Sequence, residues 1–257
     1  MKAYGSILLF MRALIETARG ILAFANWIFG LPLVNARIAY FAKSKSDGRK
    51  MLVRHCQRFL DTCGIAVEIE GPQPMPGGGC VLCYNESSFP DVMAYMVAVL
   101  DHVDRAAAAN LYGFFPFTHA ALPRVSFELV QRGNRANTNA LIAKMIERIY
   151  DGERVSWGGE GRLSGINGVN RFKIGAGLIA IRAGAPVIPI AIHGGHQTMP
   201  LGSIRARPGT IRIKFGEPIS TSGMTEDDAR AFADHLQRCI ADMYSDFDHC
   251  EAASQDN

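Results

Sequence analysis

Two short runs of this chain, Cys80-Val-Leu-Cys-Tyr84 and Pro186-Val-Ile-Pro-Ile-Ala-Ile192, carry almost no polar side chain. They read as buried strands, covered on both faces. Around them, strand-like and helix-like stretches alternate. Apolar residues at Met51, Leu52, Cys56, Phe59, Leu60 and Cys63 predict a helix over 48–63, ended by Gly64. A strand at 67–70 follows, then the breaker Gly-Pro-Gln-Pro-Met-Pro-Gly-Gly-Gly. Further strands are expected at 80–84, near 106–112, and at 127–130, 154–157, 186–192 and 210–216. Helices are expected at 91–100, 136–150 and 173–183. Thr225 is a suitable N-cap for a last helix with Phe232, Leu236, Ile240 and Met243 on one face. This alternation implies an α/β fold, a mostly parallel central sheet wrapped by helices. An apolar content of 48% excludes a disordered chain.

The front end differs from the rest. Residues 1–60 hold ten Lys/Arg against Glu16 and Asp47, a surplus of eight positive charges; the remainder carries −5 of the whole chain's +3. The longest uncharged run, Gly20 to Ala36, is 17 residues, at the lower edge of what spans a bilayer, and Pro32 should break its helix. Arg12, Glu16 and Arg19 share one helical face, leaving Phe10, Leu14, Ile21, Phe24 and Ile28 to an apolar face. The expectation is a membrane-associated helix lying in the interface, with Trp27 near headgroup level. The basic stretch Arg37–Arg58 would then meet anionic lipid. Interleaved Leu, Ile and Trp suit lipid better than nucleic acid. Three segments follow: an anchoring helical segment at 1–45, a globular domain at 46–246, and an acidic tail at 247–257 that frays.

The six cysteines make no disulfide framework. Cys80 and Cys83 lie three apart in an apolar strand, so they face opposite sides and read as buried thiols. His193 and His196 have no carboxylate or Cys nearby in sequence, so no metal site is expected.

Two strand exits carry charge where a core would not. The first is Asn85-Glu86-Ser87-Ser88-Phe89-Pro90-Asp91, and the second is Gly158-Gly159-Glu160-Gly161-Arg162. Ligands of open α/β sheets bind outside the carboxyl ends of strands, so both loops can build one site. Asp91 can be a helix cap alone. Glu86 and Asp91 within reach of each other would raise one pKa and make a candidate base.

At these residues the chain resembles the glycerolipid acyltransferases of the 1-acylglycerol-3-phosphate type. Asn85, Ser88 and Asp91 match the family's N-H-x-S-x-x-D. Glu160, Gly161 and Arg162 match F-P-E-G-x-R, and Phe127–Arg132 fits a strand ending in an arginine. Lys173 through Gly194 matches a long pattern, K-x-G-A-x-x-x-A-x-x-x-G-x-P-x-x-P-V-A-x-x-G. The resemblance covers roughly residues 50–245. Two departures stand out: Glu86 replaces the family's catalytic histidine, and Gly158-Gly159 replaces its Phe-Pro. The resemblance implies acyl transfer from acyl-CoA or acyl carrier protein to a lysophosphatidate-like lipid, with no other cofactor, at the cytoplasmic face of the membrane. Glu86 would be the general base and Asp91 its partner. Asn85 and Ser88 would help to bind substrate. Arg132, Arg162 and Lys173 would bind the acceptor's anionic head, and Glu160 would orient Arg162. Backbone N–H groups of Gly158–Gly161 could form an oxyanion hole. The alternatives are an inactive lipid-binding relative and an acyltransferase for a non-phosphate acceptor, such as an amino-acid lipid or a secondary metabolite.

Overall fold

The computed structural model describes residues 2–71, 73, 75–131 and 133–255. Helix α1 (Lys2–Phe41) and helix α2 (Lys45–Cys63) form an antiparallel pair: Gly30 meets the His55 ring, while Gly48 meets Ile38 and Ala42. Gly64 closes α2 in the left-handed conformation at φ 73°. Contrary to the sequence expectation, α1 runs unbroken through Pro32. A proline removes one helical hydrogen bond. Here Leu31, Asn35, Ile38 and Ala39 on either side of it are buried, and that packing holds the helix together.

Trp27 is likewise not at headgroup level. It is 7% exposed, with the rings of Phe89 at 5.0 Å and Phe115 at 5.5 Å. Phe24, assigned to the outer face, packs on Phe59 and Phe89. The inward stripe is Glu16, Gly20, Ala23, Trp27 and Leu31. The Glu16 face is therefore turned to the protein, while Phe10, Leu14, Ile21 and Ile28 stay exposed. Glu16 survives burial because Arg12 (2.8 Å) and Arg205 (2.6 Å) both bond it. Burial raises its pKa, but the two guanidiniums hold it below the ordinary value. Arg49 also leaves the basic surface. It is buried and donates to the carbonyls of Leu100, Val103, Asp104 and Val125.

The sheet has seven strands: β1 (Ile65–Glu70), β2 (Cys80–Tyr84), β3 (Arg105–Ala109), β4 (Phe127–Val130), β5 (Arg154–Gly158), β6 (Val187–His193) and β7 (Gly209–Phe215), in the order β1-β7-β6-β2-β5-β3-β4. Every pairing is parallel except β6 with β7. β2 is central and wholly buried. Its Cys80, Leu82 and Tyr84 enter one core layer with α1, α2, α3 (Phe89–Ala98) and α4 (Thr118–Val125). Val81 and Cys83 enter the other, with α5 (Arg135–Tyr150), α6 (Gly175–Ala183) and α8 (Ala229–Gln255). Strand alternation thus places the two thiols on opposite faces. The helix α4 and the single turn α7 (Gly195–Thr198) have no counterpart in the sequence expectations. α8 runs on through the expected acidic tail to Gln255, and Phe247 is buried with its ring 5.4 Å from that of His193.

Candidate active site

β5 and β6 flank β2 in parallel register, with Tyr84 opposite Gly158 and Ile190. The exits of all three strands therefore lie along one edge of the sheet, where ligands of such sheets bind. Backbone bonds lace the exits together. Gly159 N donates to Tyr84 O (2.8 Å), Ser164 N to Glu86 O (2.9 Å) and Gly165 N to Ser87 O (3.0 Å). Asn85 ties in β6: its Nδ2 donates to Ile192 O (3.0 Å), and its Oδ1 accepts from Ile192 N (2.8 Å). With its amide engaged at both ends, Asn85 holds two strands together.

Ser88 N-caps α3 and forms a capping box with Asp91. Asp91 Oδ2 accepts from Ser87 N (2.9 Å), Ser87 Oγ (2.7 Å), Ser88 N (2.9 Å) and Ser88 Oγ (3.3 Å). Asp91 Oδ1 is buried with no donor among the described residues. It lies where a side chain on Gly195 would stand: a Cβ there would be 1.8 Å away. Burial pushes the Asp91 pKa up, against the pull of those hydrogen bonds.

Glu160 is buried alongside. Its Oε2 accepts from Glu86 N (2.8 Å) and its Oε1 from Asn170 N (2.7 Å). Burial pushes its pKa up to about 7, and the charge of Asp91 adds to the effect. Burial thus raises the pKa of both Asp91 and Glu160. Glu160, expected to orient Arg162, instead holds the backbone of the Glu86 loop. Glu86 is half-buried, and its charge is felt by Tyr84 and Tyr95. Those rings stack at 4.2 Å, and Tyr95 Oη and Ser156 Oγ are 2.5 Å apart. Burial raises both phenols, and the Glu86 charge raises them further.

Arg162 and Lys173 are exposed, and neither has a carboxylate partner among the described residues. The Lys173 side chain lies over Gly161, whose φ of 68° favours glycine. Arg132 lies outside the described residues. The Gly159 N–H is used by Tyr84 and is not free for an oxyanion hole.

The replacement of Phe-Pro by Gly158-Gly159 has a structural counterpart. A Cβ at residue 159 would stand 2.4 Å from the Phe172 ring, so Phe172 fills that space. Gly195, Asn170 and Phe172 belong to the site without having been singled out in the sequence. The Gly194-Gly195 pair after a buried strand is the one local signal among them. Burial pushes the Cys80 thiol up to about 11, as expected of an inert thiol. No cluster of three potential metal ligands occurs among the described residues.

A family model described as Acyltransferase matches residues 66–193. A 1-acyl-sn-glycerol-3-phosphate acyltransferase of Haemophilus influenzae is 29% identical over 119 residues, 44% of this chain and 49% of the relative. That of Salmonella typhimurium is 29% identical over 122 residues, 47% of this chain and 49% of the relative. The chain thus spans about half the length of these curated relatives. The human 1-acyl-sn-glycerol-3-phosphate acyltransferase beta is 26% identical over 197 residues, 76% of this chain and 69% of that protein. The crystal structure of the 1-acyl-sn-glycerophosphate acyltransferase PlsC from Thermotoga maritima has the same fold. Its TM-score is 0.67 at 21% identity, over 91% of this chain and 96% of that one. With the matched motifs gathered at one sheet edge, the chain belongs to the glycerolipid acyltransferase family.

Proposed function

We propose that this protein transfers a fatty acyl group from a thioester donor, acyl-CoA or acyl carrier protein, to the hydroxyl of a lysophosphatidate-like acceptor at a membrane surface. The observation that carries this reading is the convergence of the Glu86 loop, buried Glu160 and Asp91, and the exposed cations Arg162 and Lys173 at one sheet edge. Arg162 and Lys173, with Arg132, receive the acceptor's phosphate, the arginines bidentately. Glu86 takes the proton from the acceptor hydroxyl as its oxygen attacks the thioester carbon. The carbon–sulfur bond then breaks, and the thiolate leaves with that proton. No further cofactor is required.

Asp91 and Glu160 hold the Glu86 backbone from two sides, through the Ser87–Ser88 turn and through the Glu86 N–H. They act as positioning groups. An apolar cavity between α1, α2, α3 and α4, lined by Leu31, Leu52, Met93, Met96, Leu122 and Val125, suits an acyl chain.

No helix among the described residues is long and apolar enough to cross a membrane. The exposed apolar face of α1, with exposed Arg37, Lys43, Lys50, Arg54 and Arg58 nearby, suits peripheral association with an anionic cytoplasmic leaflet. A second reading is favoured by the carboxylate at residue 86, which could bind the ammonium of an amino-lipid acceptor. Acyl transfer to lysophosphatidic acid and to amino-bearing lysolipids, by wild type and Glu86→Gln, is the deciding measurement. Glu86→Gln should lose on the order of a hundredfold or more in turnover with the phosphate acceptor. Unchanged turnover removes Glu86 as base. Binding without transfer to any acceptor identifies an inactive relative.

A further inference from the structure

The loop after α7, residues 199–208, has no role in the reading above, yet it is bolted to α1 and reaches the site. At one end Arg205 Nε donates to buried Glu16 Oε2 (2.6 Å), and Ala206 N donates to Glu16 O (3.0 Å). The Ile204 carbonyl sits so close to Gly20 that a Cβ there would be 1.7 Å from its oxygen. At the other end, Leu201 Cδ2 would be 3.3 Å from a Cβ on Gly165, and Gly165 N is bonded to Ser87 O. A continuous bridge therefore runs from α1 through Ile204 and Leu201 to the catalytic loops.

Two large apolar side chains on this bridge face outward: Leu201 is 48% exposed and Ile204 51%. Isolated exposed apolar residues are ordinary, but a contiguous patch marks an interaction surface. Exposed Leu14, Ile15 and Ile21 of α1 lie within two residues of the Glu16 and Gly20 anchors, and exposed Ile166 follows Gly165, which Leu201 overlies. Exposed Arg207, Arg162 and Lys173 lie on the same loops without a carboxylate partner among the described residues. Apolar side chains edged by unpaired cations complement an anionic bilayer, whose acyl region takes the former and whose headgroups take the latter.

We propose that the 199–208 loop is a second membrane-inserting element, locked in register with α1 by the Glu16–Arg205 pair. Leu201 and Ile204 enter the acyl region of an anionic membrane beside the mouth of the site. This extends the membrane-surface reading above. Its test reads binding rather than transfer, so it stands or falls apart from catalysis.

The test measures partitioning of the full-length protein onto vesicles of equal parts phosphatidylglycerol and phosphatidylcholine, and onto phosphatidylcholine alone. Both side chains are exposed, so Leu201→Glu/Ile204→Glu should keep the wild-type circular dichroism and melting temperature. Its binding to the mixed vesicles should fall by roughly tenfold or more, since two apolar side chains are lost from the bilayer. Wild-type binding to phosphatidylcholine alone should be weaker than to the mixture. In a Leu201→Trp variant, lipids brominated in their acyl chains should quench the added fluorescence. Wild-type affinity in the double glutamate variant, equal binding to both vesicle types, or no quenching at residue 201 would overturn the proposal.

Discussion

Single atoms decide the geometry of the site. Asp91 Oδ1 lies against the Gly195 backbone, whose φ is ordinary, so the demand for glycine there is steric and not conformational. Gly195→Ala must push the carboxylate or the β6 exit aside. It should cost about 1–3 kcal/mol in stability. Turnover should drop by on the order of a hundredfold through displacement of the Glu86 loop. Thermal melts and initial rates read the two effects separately.

Glu160 carries a pH signature. Its folded pKa of about 7 lies above its ordinary value of 4.5, so the folded state holds the proton more tightly than the unfolded chain. Stability from this group is present below the ordinary value and is lost as pH rises towards the folded value. Between about pH 5 and pH 8, wild type should lose melting temperature relative to Glu160→Gln. A constant difference across that range would show that Glu160 titrates normally.

Between elements, the decisive contact is that of the β5 exit with the segment leading into α6. Phe172 is buried against the space left by Gly159. Gly159→Ala should cost about 1–3 kcal/mol by overpacking. Phe172→Ala alone should cost about 3–5 kcal/mol through the cavity it leaves. In the double variant the added methyl enters vacated space. The combined loss should be smaller than the sum, which chemical denaturation of the three variants measures.

For the molecule as a whole, α1 belongs to the core. Ala23, Trp27, Leu31 and Ile38 are buried with the residues of α2, α3 and β6. Trp27→Ala should cost about 3–5 kcal/mol in unfolding free energy, like any large core truncation. A membrane segment tethered outside the fold would lose almost nothing. The same helix turns an exposed apolar face outward, with Phe29 77% exposed, so one element serves the core on one side and, in the proposed reading, a membrane surface on the other.

The alternation of apolar runs was enough to locate the seven strands to within a few residues and to identify a mostly parallel sheet, because strand burial and helical period are local properties. The two strand exits were legible for the same reason: charge directly after a buried strand contributes nothing to core packing and so points to a site. Three things were not legible. The inward face of α1 could not be read, because Glu16 looks like a surface charge until Arg205, from a distant loop, is placed beside it. Arg49 looks like one more surface cation until four carbonyls surround it. The demands on Gly195 and Phe172 arise only from groups brought together by folding. Sequence alone determined the seven strands, the sheet class and the loops proposed to carry the chemistry. Tertiary structure decided which charges are buried, which carboxyls are perturbed and which face of α1 is turned outward, since burial and pairing depend on residues far apart in the chain.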